Sequence, residues 1–110
     1  MAKMTPTEKN VRKTLRAQLR KQGGELFTFE NYGVTVAIRP SIPGGNARFY
    51  QVSVSTCSGN DKFKRKVGEL VALEYLLTYG RFISVRAPDL CDNPMEYLAL
   101  AVAYSGLFSG

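Results

Sequence analysis

The sequence predicts one small α+β domain: a helix, three antiparallel strands in a meander, a second helix, a candidate short fourth strand and an extra apolar helix at the C-terminus. Three observations predict it. Two segments repeat apolar residues at spacings of three and four behind residues that cap helices. Between them lie strand-like runs, two of which alternate apolar and polar residues as half-buried strands do. The 110-residue length suits a single core that buries roughly two-thirds of the unfolded surface.

Thr5-Pro6-Thr7-Glu8 starts the first helix, expected over 5–22. Thr5 is placed to accept from the amide of Glu8, Glu8 to reach back to the amide of Thr5, and Pro6 to fill the first turn. Gly23-Gly24 ends it. Val11, Leu15 and Leu19 form a narrow apolar stripe. Lys9, Arg12, Lys13, Arg16 and Arg20 form a basic one, centred about 120° away at about 100° per residue. No acid lies within the basic stripe, and such exposed cations are expected to contribute little to folding.

The meander is expected over 25–57. Residues 25–30 (ELFTFE) and 34–39 (VTVAIR) flank the turn residues Asn31-Tyr32-Gly33, and residues 48–57 (RFYQVSVSTC) follow the loop PSIPGGNA. Val34, Val36, Ile38, Tyr50, Val52 and Val54 are expected on the core face. Phe49, Gln51, Ser53 and Ser55 are expected on a wet face, with all helices on the other side of the sheet. On that wet face Phe27, Phe29 or Phe49, with Arg39 nearby, offer a second reading as a platform for stacked bases.

The central helix is expected over 61–80, DKFKRKVGELVALEYLLTYG. Lys62, Lys64, Arg65 and Lys66 crowd its opening. Phe63, Val67, Leu70, Val71, Glu74 and Leu77 then share one face, while Leu73, Tyr75, Leu76 and Tyr79 add apolar surface on the others, so its second half should be buried nearly all round. Ser58, Asn60 and Asp61 can cap it, and Gly80 can take the left-handed conformation that stops it. RFISVR at 81–86 is the fourth-strand candidate. The last helix, over 93–105, repeats the logic of the first, with Asn93 as cap, Pro94 in the first turn and Glu96 behind. Beyond Glu96 the chain carries no charge. A soluble monomer seldom exposes such a helix, so Leu98, Leu100, Val102 and Tyr104 are expected to be buried, some of them in a homo-oligomer contact.

Charge is the strongest functional signal. The chain carries +6, and residues 1–22 hold seven cations against one acid. Residues 61–66 hold four more against Asp61, whereas residues 67–110 hold two cations against five acids. Positive charge is thus gathered at two helix beginnings, which suits a polyanion or an acidic protein surface. The chemistry that catalysis needs is thin. There is no histidine, and the nine acids are scattered except for Asp89 and Asp92 beside a helix start. No metal site, cofactor or enzymatic activity is expected. The N-terminus lacks the layout of a signal peptide and no apolar run reaches the roughly 18 residues of a membrane span, so a cytoplasmic protein with Cys57 and Cys91 reduced is expected.

The basic opening KFKRK at 62–66, followed by Val67, Val71 and Ala72, together with the helix, three strands and helix over 5–79, resembles the double-stranded-RNA-binding domain. That resemblance implies that Lys62, Lys64, Arg65 and Lys66 lie over phosphates, with the first helix and the loop between the first two strands reaching the neighbouring minor grooves. Gly68 stands where the family carries a later lysine. The loop at Asn31-Tyr32-Gly33 is shorter than the family's and lacks its histidine, and the last helix is an addition.

Residues and resemblance together lead to a non-catalytic nucleic-acid-binding protein, duplex favoured. It would contact phosphates through Lys9, Arg12, Lys13, Arg16, Arg20, Lys62, Lys64, Arg65 and Lys66, with little sequence specificity. The alternative is a small inhibitor or adaptor, of the kind mobile elements and phages encode, that binds and modulates another protein.

Overall fold

Thr5 opens the first helix as a capping box: its hydroxyl accepts from the amide of Glu8 at 3.1 Å, and its own amide donates to the Glu8 carboxylate at 2.9 Å. The protein is described here by a computed structural model, which covers residues 5–42, 48–56 and 65–105. Helix α1 runs Pro6–Lys21, then strand β1 Glu25–Phe29, a short 3₁₀ turn Glu30–Tyr32, β2 Val34–Pro40, β3 Phe49–Thr56, helix α2 Arg65–Leu77, β4 Ile83–Arg86 and helix α3 Pro94–Ser105. The strands form one antiparallel sheet in the order β1-β2-β3-β4, so the fourth-strand candidate is a true strand on the edge beside β3. The expected caps Ser58, Asn60 and Asp61, the expected helical residues 61–64 with Phe63, residues 43–47 and Cys57 lie outside the described residues.

The expected wet face is not wet. Cross-strand register places Thr35 opposite Ser55, Ala37 opposite Ser53 and Arg39 opposite Gln51 on one side of the sheet. Helices α1 and α2 cover that side: Leu15 and Leu19 meet Ala37, Ala72, Leu73 and Leu76 in one core cluster. Thr35, Ser53 and Ser55 are buried there. Sequence reading took the Ser53 and Ser55 hydroxyls for solvent-facing groups, but the deciding property of all three side chains is their size. Small side chains let a helix approach the sheet closely, and the Ser53 hydroxyl donates to the Ala72 carbonyl at 2.7 Å, which satisfies it without water.

The opposite side carries Val34, Val36, Ile38, Tyr50, Val52 and Val54 as expected, but α3 covers it, through Leu98, Ala99 and Val102. Helices therefore sit on both faces and the domain has three layers, not two. This corrects the base-stacking reading as well. Phe27 and Phe29 pack under α3, while Phe49 is exposed on the other side near Arg39, so the three rings share no platform.

The buried face of α2 also differs from the expected one. Gly68, Glu69, Leu70, Ala72, Leu73 and Leu76 point inward, whereas Val67 and Tyr79 are exposed and Val71, Glu74, Tyr75 and Leu77 are half-buried. The helix turns Ala72 toward the small-residue side of the sheet, beside Ala37 and Ser53, and this contact overrides the raw apolar spacing.

Two glycines separate packing from conformation. Gly80 has φ +64° with nothing near its missing Cβ, as a helix stop requires. Gly24 lies where a Cβ would come within 2.6 Å of the Ile38 carbonyl and 2.5 Å of Leu19 Cδ1. Gly80→Ala is expected to cost about 1 kcal/mol from backbone strain. Gly24→Ala is expected to cost roughly 1–3 kcal/mol, because the backbone at Ile38 must shift. Urea denaturation of the two variants checks the order.

Candidate nucleic-acid interface

At about 100° per residue, Arg12 points only about 20° from Leu19 and about 40° from Arg16. It is the member of the basic stripe nearest the apolar one, and so it meets α2. There its Nη1 donates to Glu69 Oε1 at 2.7 Å. Arg16 Nη1 stands 4.0 Å from the same oxygen, and Arg65 Nε, one turn earlier on α2, stands 3.6 Å from Oε2. Three guanidinium groups from two helices thus converge on one carboxylate.

Burial sorts their roles. The Arg12 and Glu69 side chains are 13% and 5% exposed, whereas Arg16 and Arg65 are 42% and 63% exposed. Arg12 and Glu69 make a largely desolvated pair that fixes α1 on α2. Arg16 and Arg65 border that pair and reach water. Sequence reading missed Glu69, because the acid that answers the basic stripe lies 57 positions away on another helix. A signal was present: Glu69 shares its helix face with Ala72, Leu73 and Leu76, at spacings of three, four and seven, so a charge stands on a core stripe.

The other cations of α1, Lys9, Lys13, Arg20 and Lys21, are exposed, as is Lys66. Lys62 and Lys64 lie outside the described residues. Arg65 also lines an open cleft with Thr28, Phe29, Glu30, Asn31 and Tyr32, so the opening of α2 adjoins the β1–β2 turn. Arg16 and Arg20 line a second cleft with Gly23, Gly24 and Glu25. The helical layer therefore carries a cationic rim along β1, and Glu25 and Glu30 line its two clefts.

Arg39, at the other end of this layer, is held by neutral groups. Its Nε donates to Gln51 Oε1 and its Nη1 to Gln22 Oε1, both at 2.7 Å, and its guanidinium lies 5.8 Å from the centre of the Phe82 ring. Burial pulls its pKa below the usual arginine value. It ties β2 and β3 to the C-terminal end of α1, where the helix dipole favours a cation.

On α3 the four residues expected at a contact divide. Leu98 and Val102 are buried against this chain's own sheet. Leu100 and Tyr104 are exposed on the single chain, as is Tyr97 on the outer side of the helix, so within the fold only the first two are buried. The Tyr104 and Tyr32 hydroxyls are hydrogen-bonded at 2.9 Å, and their rings stand 5.2 Å apart. Among the described residues, no three side chains of metal-ligating type lie together as a metal site would need, and no helix is long and apolar enough to cross a membrane. Cys91 is a half-buried free thiol. No family model matches this sequence, and no curated protein or solved structure matches it either.

Proposed function

We propose that this protein binds nucleic acid without catalysis, holding the phosphates of a duplex along the rim formed by α1 and the opening of α2. One observation carries the reading: Arg16 and Arg65, from the two basic segments of the sequence, stand beside the same carboxylate and remain exposed. The two cation clusters thus address one ligand rather than two. Contacts of this kind read charge and spacing, not base sequence. The adjacency of Arg65 to the β1–β2 turn supports the likeness to the double-stranded-RNA-binding domain, in which the same three elements face the duplex. The proposed ligands are Lys9, Lys13, Arg16, Arg20, Lys62, Lys64, Arg65 and Lys66, with Arg12 holding the helices in register. A cytoplasmic location belongs to the same reading.

Lys13→Ala with Arg20→Ala is expected to weaken duplex binding alike for every sequence and to flatten the salt dependence by nearly one logarithmic unit per lost contact. Thermal stability should be unchanged, since both side chains are exposed. Anisotropy titrations over a salt series read both effects. Unchanged binding would reduce the cationic rim to a solvated surface.

A second reading, the small inhibitor or adaptor, is favoured by the outer side of α3 beyond Glu96, which carries no charge and exposes Tyr97, Leu100 and Tyr104, the last beside Tyr32. The same side suits a second copy of this chain, because a two-fold contact sets like against like and a neutral face avoids repulsion. Sedimentation velocity is expected to show a dimer that Tyr97→Glu with Tyr104→Glu dissociates. A monomer at all concentrations, with a protein recovered stoichiometrically by the wild type and not by that variant, would favour the inhibitor reading instead.

A further inference from the structure

We infer that Arg16 and Arg65 form a two-guanidinium clamp for a single phosphoryl group, and that Glu69 is the positioning residue that sets it. This deepens the reading above and rests on it only for the source of the phosphate.

Of the three arginines, Arg12 alone lies within hydrogen-bonding distance of Glu69, at 2.7 Å. At 4.0 and 3.6 Å, Arg16 and Arg65 are held by charge rather than by a hydrogen bond, so their N–H donors are not committed to the carboxylate. The two distances run to the two oxygens of one carboxylate, so Glu69 is the neighbour that both guanidinium groups share. Two planar forks with free donors on adjacent helices match a tetrahedral oxyanion, which can accept from both at once. Glu69 cannot leave to serve as a ligand itself, since it is buried and bonded to Arg12. Its work is to hold two like charges together that would otherwise repel. The cluster carries three cations against one acid, so it retains charge for a phosphate after Glu69 is counted.

This predicts an effect whose sign opposes simple electrostatics. Glu69→Gln adds one unit of positive charge to the rim, yet phosphate binding should fall, because the amide presents N–H groups toward one of the arginines and leaves the pair unanchored. The experiment follows the arginine Nε–H resonances by NMR while inorganic phosphate is added. In the wild type, Arg16 and Arg65 should shift together on one saturation curve, with Arg20 unmoved. In Glu69→Gln the response should weaken about fivefold or more, the scale on which residues of one network couple. If Glu69→Gln does not fold, Arg16→Lys with Arg65→Lys decides. That variant keeps the charge and exposed positions but removes the forks, and should lose the joint response with an unchanged melting temperature.

Independent or absent shifts of the two arginines overturn the clamp, and stronger phosphate binding by Glu69→Gln overturns the positioning role. A labelled duplex, titrated in parallel, separates the sources. Phosphate binding without duplex binding leaves the clamp standing and sinks the nucleic-acid reading. Duplex binding that the lysine variant leaves unchanged sinks the clamp alone.

Discussion

A chain ending at Asn93 is expected to lose its cooperative unfolding transition and to aggregate. Among the described residues, α3 is the helix that covers one sheet face. Its removal withdraws Leu98, Ala99 and Val102 and uncovers Val36, Ile38 and Val52, which are fully buried in the intact protein. A large buried aliphatic side chain contributes roughly 1.5–3 kcal/mol. Losing several such burials at once approaches the roughly 5–15 kcal/mol by which a typical domain is stable at all. The exposed surface would also be a flat apolar sheet, which invites association through its strands. Far-UV circular dichroism during heating, with light scattering on the same sample, reads both outcomes. A truncated chain that melts cooperatively at the wild-type temperature would mean that α3 is an appendage.

Arg12→Ala is expected to destabilise the protein by about 3 kcal/mol, the low end for breaking a buried ion pair, because Arg16 and Arg65 still shield part of the Glu69 charge. For a domain of this size that corresponds to a fall in Tm of roughly 10–20 °C. Lys13→Ala, one residue along and exposed, should stay within about 0.5 kcal/mol of wild type. Replacing Arg12 and Glu69 together by leucine should cost less than the sum of the single changes, since neither charge is then left buried alone. Equal stability of Arg12→Ala and Lys13→Ala would show that the pair is solvated and that α1 is held by Leu15 and Leu19 alone.

The contrast between these two cations also shows what the sequence could and could not convey. Local chemistry was legible. The Thr5–Glu8 capping box, the alternation of β2 and β3, the β4 segment and the left-handed Gly80 follow from residues within a few positions of one another. What covers each face was not, because it depends on contacts between distant segments. Thr35, Ser53 and Ser55 read as polar, yet they are buried because they are small and because an α2 carbonyl lies within reach of Ser53. Arg12 reads like Arg16 and Arg20, yet a shift of a few tens of degrees around α1 puts it against Glu69. The two basic clusters were visible in the sequence; their meeting at one carboxylate became visible only when α1 and α2 were packed side by side.

That meeting makes one measurement the most direct. The wild-type protein should be titrated into a fluorescent duplex of about two helical turns and into a single strand of equal length, across a salt series. If the rim of α1 and α2 holds phosphates, the duplex should bind with micromolar or tighter affinity near physiological salt. The logarithm of the binding constant should then fall linearly with the logarithm of salt, with a slope of about −3 or steeper, the mark of at least three or four phosphate contacts. Binding that is undetectable at physiological salt, or whose slope is near zero, would contradict the account.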